Sequence, residues 1–145
     1  MGGWKDKGID PGEYSKFLVE NLKSIYSEKD SKKNEEENFD EKRLKQFIIE
    51  ATKKTNLLGS STLSAILIDN KNNCLYSAYI GDSVFMILRF KERKYSKLYK
   101  SKELSHTFNH PFQLGMEGDD PEASIIEKHD LDENDIIILA TDGYY

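Results

Sequence analysis

A change of hydrophobic period at residue 61 limits this chain's fold more than any other feature. Residues 61–69, 74–80 and 83–90 are rich in β-branched and aromatic side chains and are separated by Asn70-Lys71-Asn72-Asn73 and by Gly81-Asp82. That is the composition of strands joined by tight turns, and it predicts an antiparallel meander. Another polar turn at 91–94 precedes a strand at 95–99. After a loop come strands at 124–128 and 135–141, the last of them almost wholly apolar.

Upstream of residue 61 the period is helical. Asp10-Pro11-Gly12-Glu13 supplies an N-cap, a proline at the first helical position and a capping-box acid, so a helix starts there. Tyr14, Phe17, Leu18, Leu22 and Ile25 form its apolar stripe as far as about Tyr26. Residues 27–38 contain no apolar side chain and no period, and segment 27–39 reads as a polar loop or insertion. Asp40 then caps a second helix with a stripe of Leu44, Phe47, Ile48 and Ala51, ending near Asn56. Helices followed by hairpin-linked strands indicate an α+β protein with helices packed on antiparallel sheet.

The 145 residues suit one domain, with 37% hydrophobic and 11% aromatic content sufficient for a core. A net charge of −5, with lysines interleaved among acids, argues against nucleic acid or an anionic membrane as partner, since both require clustered cations. A single cysteine, Cys74, forms no internal disulfide, and an intracellular setting is expected. No apolar run approaches the roughly 18 residues of a membrane-spanning helix. The N-terminal stretch, with Asp6, Asp10 and Glu13, is too acidic for a transit peptide.

Two places carry candidate chemistry. Residues 136–143 run a buried strand directly into Asp142-Gly143, which aims a carboxylate from a rigid element; the same pair also reads as an Asx turn. Ile80-Gly81-Asp82-Ser83 repeats the arrangement, and by itself reads as a hairpin turn. Two strand-end aspartates converging on one edge would favour a bound cation, because clustered carboxylates do not all stay ionised without one. Mg²⁺ is often held by one or two carboxylates with water and phosphate. His106 and His110 are four apart, but Pro111 opposes a helix and no HExxH glutamate lies between them, so an ordered loop is expected rather than a zinc pair. His129, beside Asp130, reads as solvated. Leu58-Gly59-Ser60-Ser61-Thr62 lacks the lysine of a phosphate-binding loop. No nucleophile elbow is present, and Cys74 reads as a core thiol.

Gly2-Gly3-Trp4, Leu58-Gly59-Ser60-Ser61-Thr62, Ile80-Gly81-Asp82-Ser83, Phe108-Asn109-His110-Pro111-Phe112-Gln113-Leu114 and Ala140-Thr141-Asp142-Gly143 resemble, in that order and along nearly the whole chain, the PPM (type 2C) metal-dependent protein serine/threonine phosphatases. The Gly-Gly-Trp start and the 108–114 loop resemble the branch that includes mitochondrial phosphatases, which implies a mitochondrial setting. The resemblance implies an antiparallel β-sandwich flanked by helices, and a centre of Mg²⁺ or Mn²⁺ in a cleft at one end of the sandwich. It also implies direct attack of a metal-activated water on phosphoserine or phosphothreonine of a phosphoprotein substrate. Asp142 corresponds to a core metal ligand, and Asp82 to the ligand of a third, weaker metal.

The same resemblance puts the family's bridging Asp-Gly immediately before Met1 and its late Asp-Asn after Tyr145. Met1 stands where many members carry a histidine proposed as general acid. Residues 1–145 are therefore expected to be a single partial phosphatase domain, truncated at both ends, inactive alone and poor in metal, with no catalytic side chain assignable. The rival readings are a catalytically dead PPM-like interaction module and an unrelated metal-binding hydrolase sharing Thr-Asp-Gly by chance.

Overall fold

A computed structural model describes Trp4, residues 6–30 and residues 40–141. The chain divides into two units, one made of Met1–Ser61 with Gln113–Ser124, the other of Thr62–Phe112 with Ile125–Tyr145.

The first unit is built on two packed helices, α1 (Pro11–Asp30) and α2 (Glu41–Lys54). The Asp10 carboxylate accepts from the Gly12 N–H at 2.9 Å, and that of Asp40 accepts from the Arg43 N–H at 2.8 Å; each satisfies a helix-end donor. Tyr14, Leu18 and Ile25 of α1 and Leu44, Phe47, Ile48 and Ala51 of α2 are buried. Tyr26 meets Phe47 edge to face with centroids 6.3 Å apart. Phe17, expected in the stripe, is 44% exposed, because it sits about 100° around the helix from Leu18, at the edge of the buried face.

The first helix also runs one turn beyond its apolar stripe, to Asp30 rather than Tyr26. Polar contacts hold that turn: Ser24 donates to Glu28 at 3.0 Å, and Lys29 pairs with Glu50 at 2.6 Å. Lys29 also lies 5.1 Å from the Phe47 ring centroid. Segment 31–39, the rest of the expected polar loop, lies outside the described residues. The unit is completed by a short pairing of β1 (Ser60–Ser61) with β8 (Leu114–Gly115) and by a 3₁₀ turn at Pro121–Ala123.

The second unit is a sandwich of two three-stranded antiparallel sheets. One has the order β2 (Leu63–Asp69), β3 (Cys74–Ile80), β9 (Ile125–Asp130); the other has β10 (Ile136–Ala140), β4 (Val84–Lys91), β5 (Lys94–Lys100). Leu75 from the first sheet packs with Phe85 and Ile87 from the second, joined by Ile66, Tyr99, Leu131 and Ile137. The strands fall where the sequence puts them, but the expected meander ends after β3. Strand β3 is flanked by β2 and β9 and is buried at all seven positions, so β4 begins a different sheet.

Between the sheets sits a polar cluster. The Tyr79 and Tyr99 hydroxyls are 3.0 Å apart, and both donate to Glu127. Ser77 Oγ lies 3.0 Å from His129 Nε2. Burial, reinforced by the Glu127 contact, pushes the Tyr99 hydroxyl pKa well up; burial holds His129 below its ordinary 6.5, with Glu127 opposing. The sequence expectation of a solvated His129 is thereby corrected. Alternation along β9 leaves Lys128 and Asp130 exposed and turns His129 onto Phe85 and Tyr99, at 5.4 and 4.3 Å between centroids.

No helix among the described residues is long and apolar enough to cross a membrane.

Candidate metal-binding corner

Gly81, Asp82 and Ser83 form the corner at which the chain leaves one sheet of the sandwich and enters the other. Gly81 has φ +100°, a conformation that side chains other than glycine rarely adopt. A Cβ at Gly81 would lie 2.7 Å from the Phe112 carbonyl oxygen and 2.8 Å from Thr62 Cβ. Its own carbonyl accepts from the Leu104 N–H at 2.9 Å. On the other side of Asp82, the Ser83 hydroxyl lies 3.0 Å from that of Thr62. Asp82 is thus a half-buried carboxylate held between two anchored neighbours, at the rim of a rigid sandwich.

The expected hairpin turn at this position is a crossing between sheets, and that difference matters for the site. A hairpin would bring back the neighbouring strand of the same sheet; the crossing instead starts β4, whose partner is β10. Their antiparallel register pairs Ala140 with Val84. The C-terminal end of β10 therefore finishes opposite a residue two positions from Asp82. Thr141 is the last described residue. Asp142, the other expected metal ligand, lies outside the described residues, as do Gly2, Gly3 and Gly143.

Among the described residues no group of three or more His, Cys, Asp or Glu side chains is arranged to hold a metal ion. The donor chemistry at the corner is that of one carboxylate, which fits a hard cation completed mainly by water and phosphate oxygens. A closed structural cation site would require more ligands than these residues bring.

The remaining motif residues have local structural roles. Trp4 Nε1–H donates to Ser60 Oγ at 2.9 Å, and Ser60 in turn donates to Gln113 Oε1. Gly59 has φ +141°, and a Cβ placed on it would lie 2.7 Å from Tyr14 Cβ. The Gln113 N–H donates to Asp119 Oδ2 at 2.8 Å. Cys74 is buried, in keeping with a core thiol. Sequence reasoning missed the Thr62–Ser83 hydroxyl pair, because its members immediately precede strands of different sheets, β2 and β4, and only the crossing brings them together.

No protein-family model matches the chain. Among curated proteins, the chain is 31% identical over 159 residues to the protein phosphatase PTC7 homologue fig of Drosophila grimshawi, covering all of this chain and 48% of that protein. It is 31% identical over 154 residues to the PTC7 homologues of Xenopus laevis and of Homo sapiens, covering 50% and 48% of those proteins. The chain spans about half the length of these relatives. Among solved structures, the photosystem II phosphatase PBCP superposes with a TM-score of 0.79 at 22% identity, over 99% of this chain and 52% of that one. That likeness shows the fold.

Proposed function

We propose that this chain, 31% identical along its whole length to PTC7-type protein phosphatases, is a PPM-type phosphatase segment that forms part of a centre hydrolysing phosphoserine and phosphothreonine in proteins. The observation that supports this most is the register of β10 on β4, which ends two residues from Asp82. In this reading Asp82 and Asp142 each contribute a carboxylate to a Mg²⁺ or Mn²⁺ centre, with Asp142 the stronger ligand. A cation bound there supplies charge neutralisation for phosphate oxygens and a water of lowered pKa.

The chain's own part is positional. The Gly81 backbone, locked by Thr62, Phe112 and Leu104, fixes the direction in which Asp82 leaves the sandwich. The Thr62 and Ser83 hydroxyls hold the start of β4, so that the Asp82 carboxylate is presented from beside a strand end. On this reading the two carboxylates are only part of the centre, and the 145 residues alone are inactive. The setting we propose is mitochondrial.

Residues 1–145 exchanged for the matching half of the human relative give a direct assay. With Mn²⁺ the folded chimera is expected to hydrolyse a phosphothreonine peptide. Asp142→Asn is expected to lower kcat/KM by about a hundredfold or more, and Asp82→Asn by less. A folded chimera without turnover supports an interaction module instead, and turnover indifferent to Asp142→Asn removes the assignment. For the 145-residue chain alone, Mn²⁺-dependent turnover that disappears with Asp142→Ala contradicts the expected inactivity.

A further inference from the structure

His106 and His110 come together by a route that a helical spacing argument does not anticipate. Strands β6 (Ser105–Thr107) and β7 (His110–Pro111) form an antiparallel hairpin, with Asn109 at φ +56° in its two-residue turn. The register pairs Thr107 with His110 and Ser105 with Pro111, and shifts between Ser105 and Thr107. His106 is therefore the bulged residue, a position that re-aims a side chain relative to a regular ladder. Its ring lies 5.5 Å from that of His110, centroid to centroid, at 56°.

That separation is informative. Two imidazoles on one tetrahedral ion have ring centres roughly 5 Å apart, given metal–nitrogen bonds of about 2.1 Å. The His106 ring is also oriented from behind, stacked on Phe112 at 4.1 Å and 23°. Phe112 is itself fixed by its N–H donating to the Leu104 carbonyl at 2.9 Å. Both histidines are exposed, so an ion reaches them without opening the fold.

We propose that His106 and His110 form a two-imidazole site for a borderline-soft divalent cation of the zinc and copper class, separate from the carboxylate at Asp82. Imidazole nitrogens select such ions over Mg²⁺, which prefers oxygen; the two kinds of site are filled by different metals. Water or a partner's side chain completes the tetrahedron. The hairpin is tied through Leu104 to the Gly81 carbonyl, so occupancy adds rigidity next to the candidate corner and stabilises the folded chain by mass action.

Titrating the 145-residue chain with Zn²⁺ in excess Mg²⁺, by calorimetry, tests this independently of any phosphatase activity. Histidine ring resonances are followed in parallel, and circular dichroism confirms that each variant is folded. One Zn²⁺ per chain is expected, shifting the His106 and His110 resonances and leaving His129 unmoved. His106→Ala and His110→Ala are each expected to weaken binding at least about tenfold, since loss of even an outer-shell partner costs that much. A smaller loss in either folded variant, no zinc uptake by the unaltered chain, or a response at His129 alone overturns the proposal.

Discussion

Gly81→Ala is expected to lower the unfolding free energy by about 4 kcal/mol, the sum of backbone strain and overpacking. The melting temperature should fall by roughly 10 °C for a chain of this size. Strain arises because φ at Gly81 is +100°. The overlap arises because the new methyl would meet the Phe112 carbonyl oxygen at 2.7 Å and Thr62 Cβ at 2.8 Å, one a backbone atom and the other the root of a short side chain. Neither relaxes without moving β2 or the segment hydrogen-bonded to Gly81. Gly8→Ala is the matched control, with φ +72° and nothing within 4 Å of the added carbon. It should cost only about 1 kcal/mol, the strain alone. Equal losses at the two glycines, read from urea unfolding, would show that the Gly81 corner is not closely packed.

Arg89→Met is the second large effect, at about 3 kcal/mol. Arg89 donates through Nε and Nη2 to the two oxygens of Asp135, at 3.0 and 2.7 Å. It also reaches the Asp130 carbonyl at 3.0 Å and pairs with Asp132 at 2.9 Å. The Asp135 side chain is 3% exposed and that of Arg89 15%, so removing the cation strands a buried carboxylate rather than a solvated one. The Arg89 hydrogen bond holds the Asp135 carboxyl below its ordinary 3.8, against burial that would raise it. Asp135 therefore adds stability that is fully present above pH 3.8 and is lost as pH falls through its lower folded value. Without Arg89, burial is the largest remaining influence and pushes the carboxyl upward, so this acid-dependent loss disappears and the variant no longer loses stability at Asp135 as pH falls. Acid-unfolding curves for the two proteins check the sign: the stability difference between them must be largest above pH 3.8 and shrink as pH falls below it.

What the sequence made legible follows the range of the interactions. The second helix was readable throughout, because its cap, Asp40 to Arg43 N–H, and its stripe from Leu44 to Ala51 are all local. The strands were readable for the same reason. Their assembly was not, because β3 pairs with β9, as in Tyr76 opposite Lys128, across half the sandwich sequence. Nothing near Cys74–Ile80 marks that partner. The crossing at Gly81 carried the same residues as a hairpin turn, and only the pairing of β4 with β10 tells them apart. Apolar period marks the end of α1 near Tyr26, whereas Lys29 with Glu50 and Phe47 holds one further turn. His106 and His110 were read against a helical zinc spacing; the usable signal was Asn109, a residue that tolerates positive φ, between two short extended stretches.

Likeness to PTC7-type phosphatases and to the PBCP fold agrees with the family resemblance carried by the Gly-Asp-Ser and Thr-Asp-Gly motifs. The functional account depends on a narrower point, that Asp82 and Asp142 serve one ionic centre. Paramagnetic broadening by Mn²⁺ of the chain's amide resonances tests it most directly, because even weak binding broadens nearby signals. The account predicts that residues 81–83 and 141–143 broaden together at the same Mn²⁺ concentration, and that Asp142→Asn weakens the effect at 81–83. Broadening of one segment without the other, or an unchanged response at 81–83 in the variant, would contradict it.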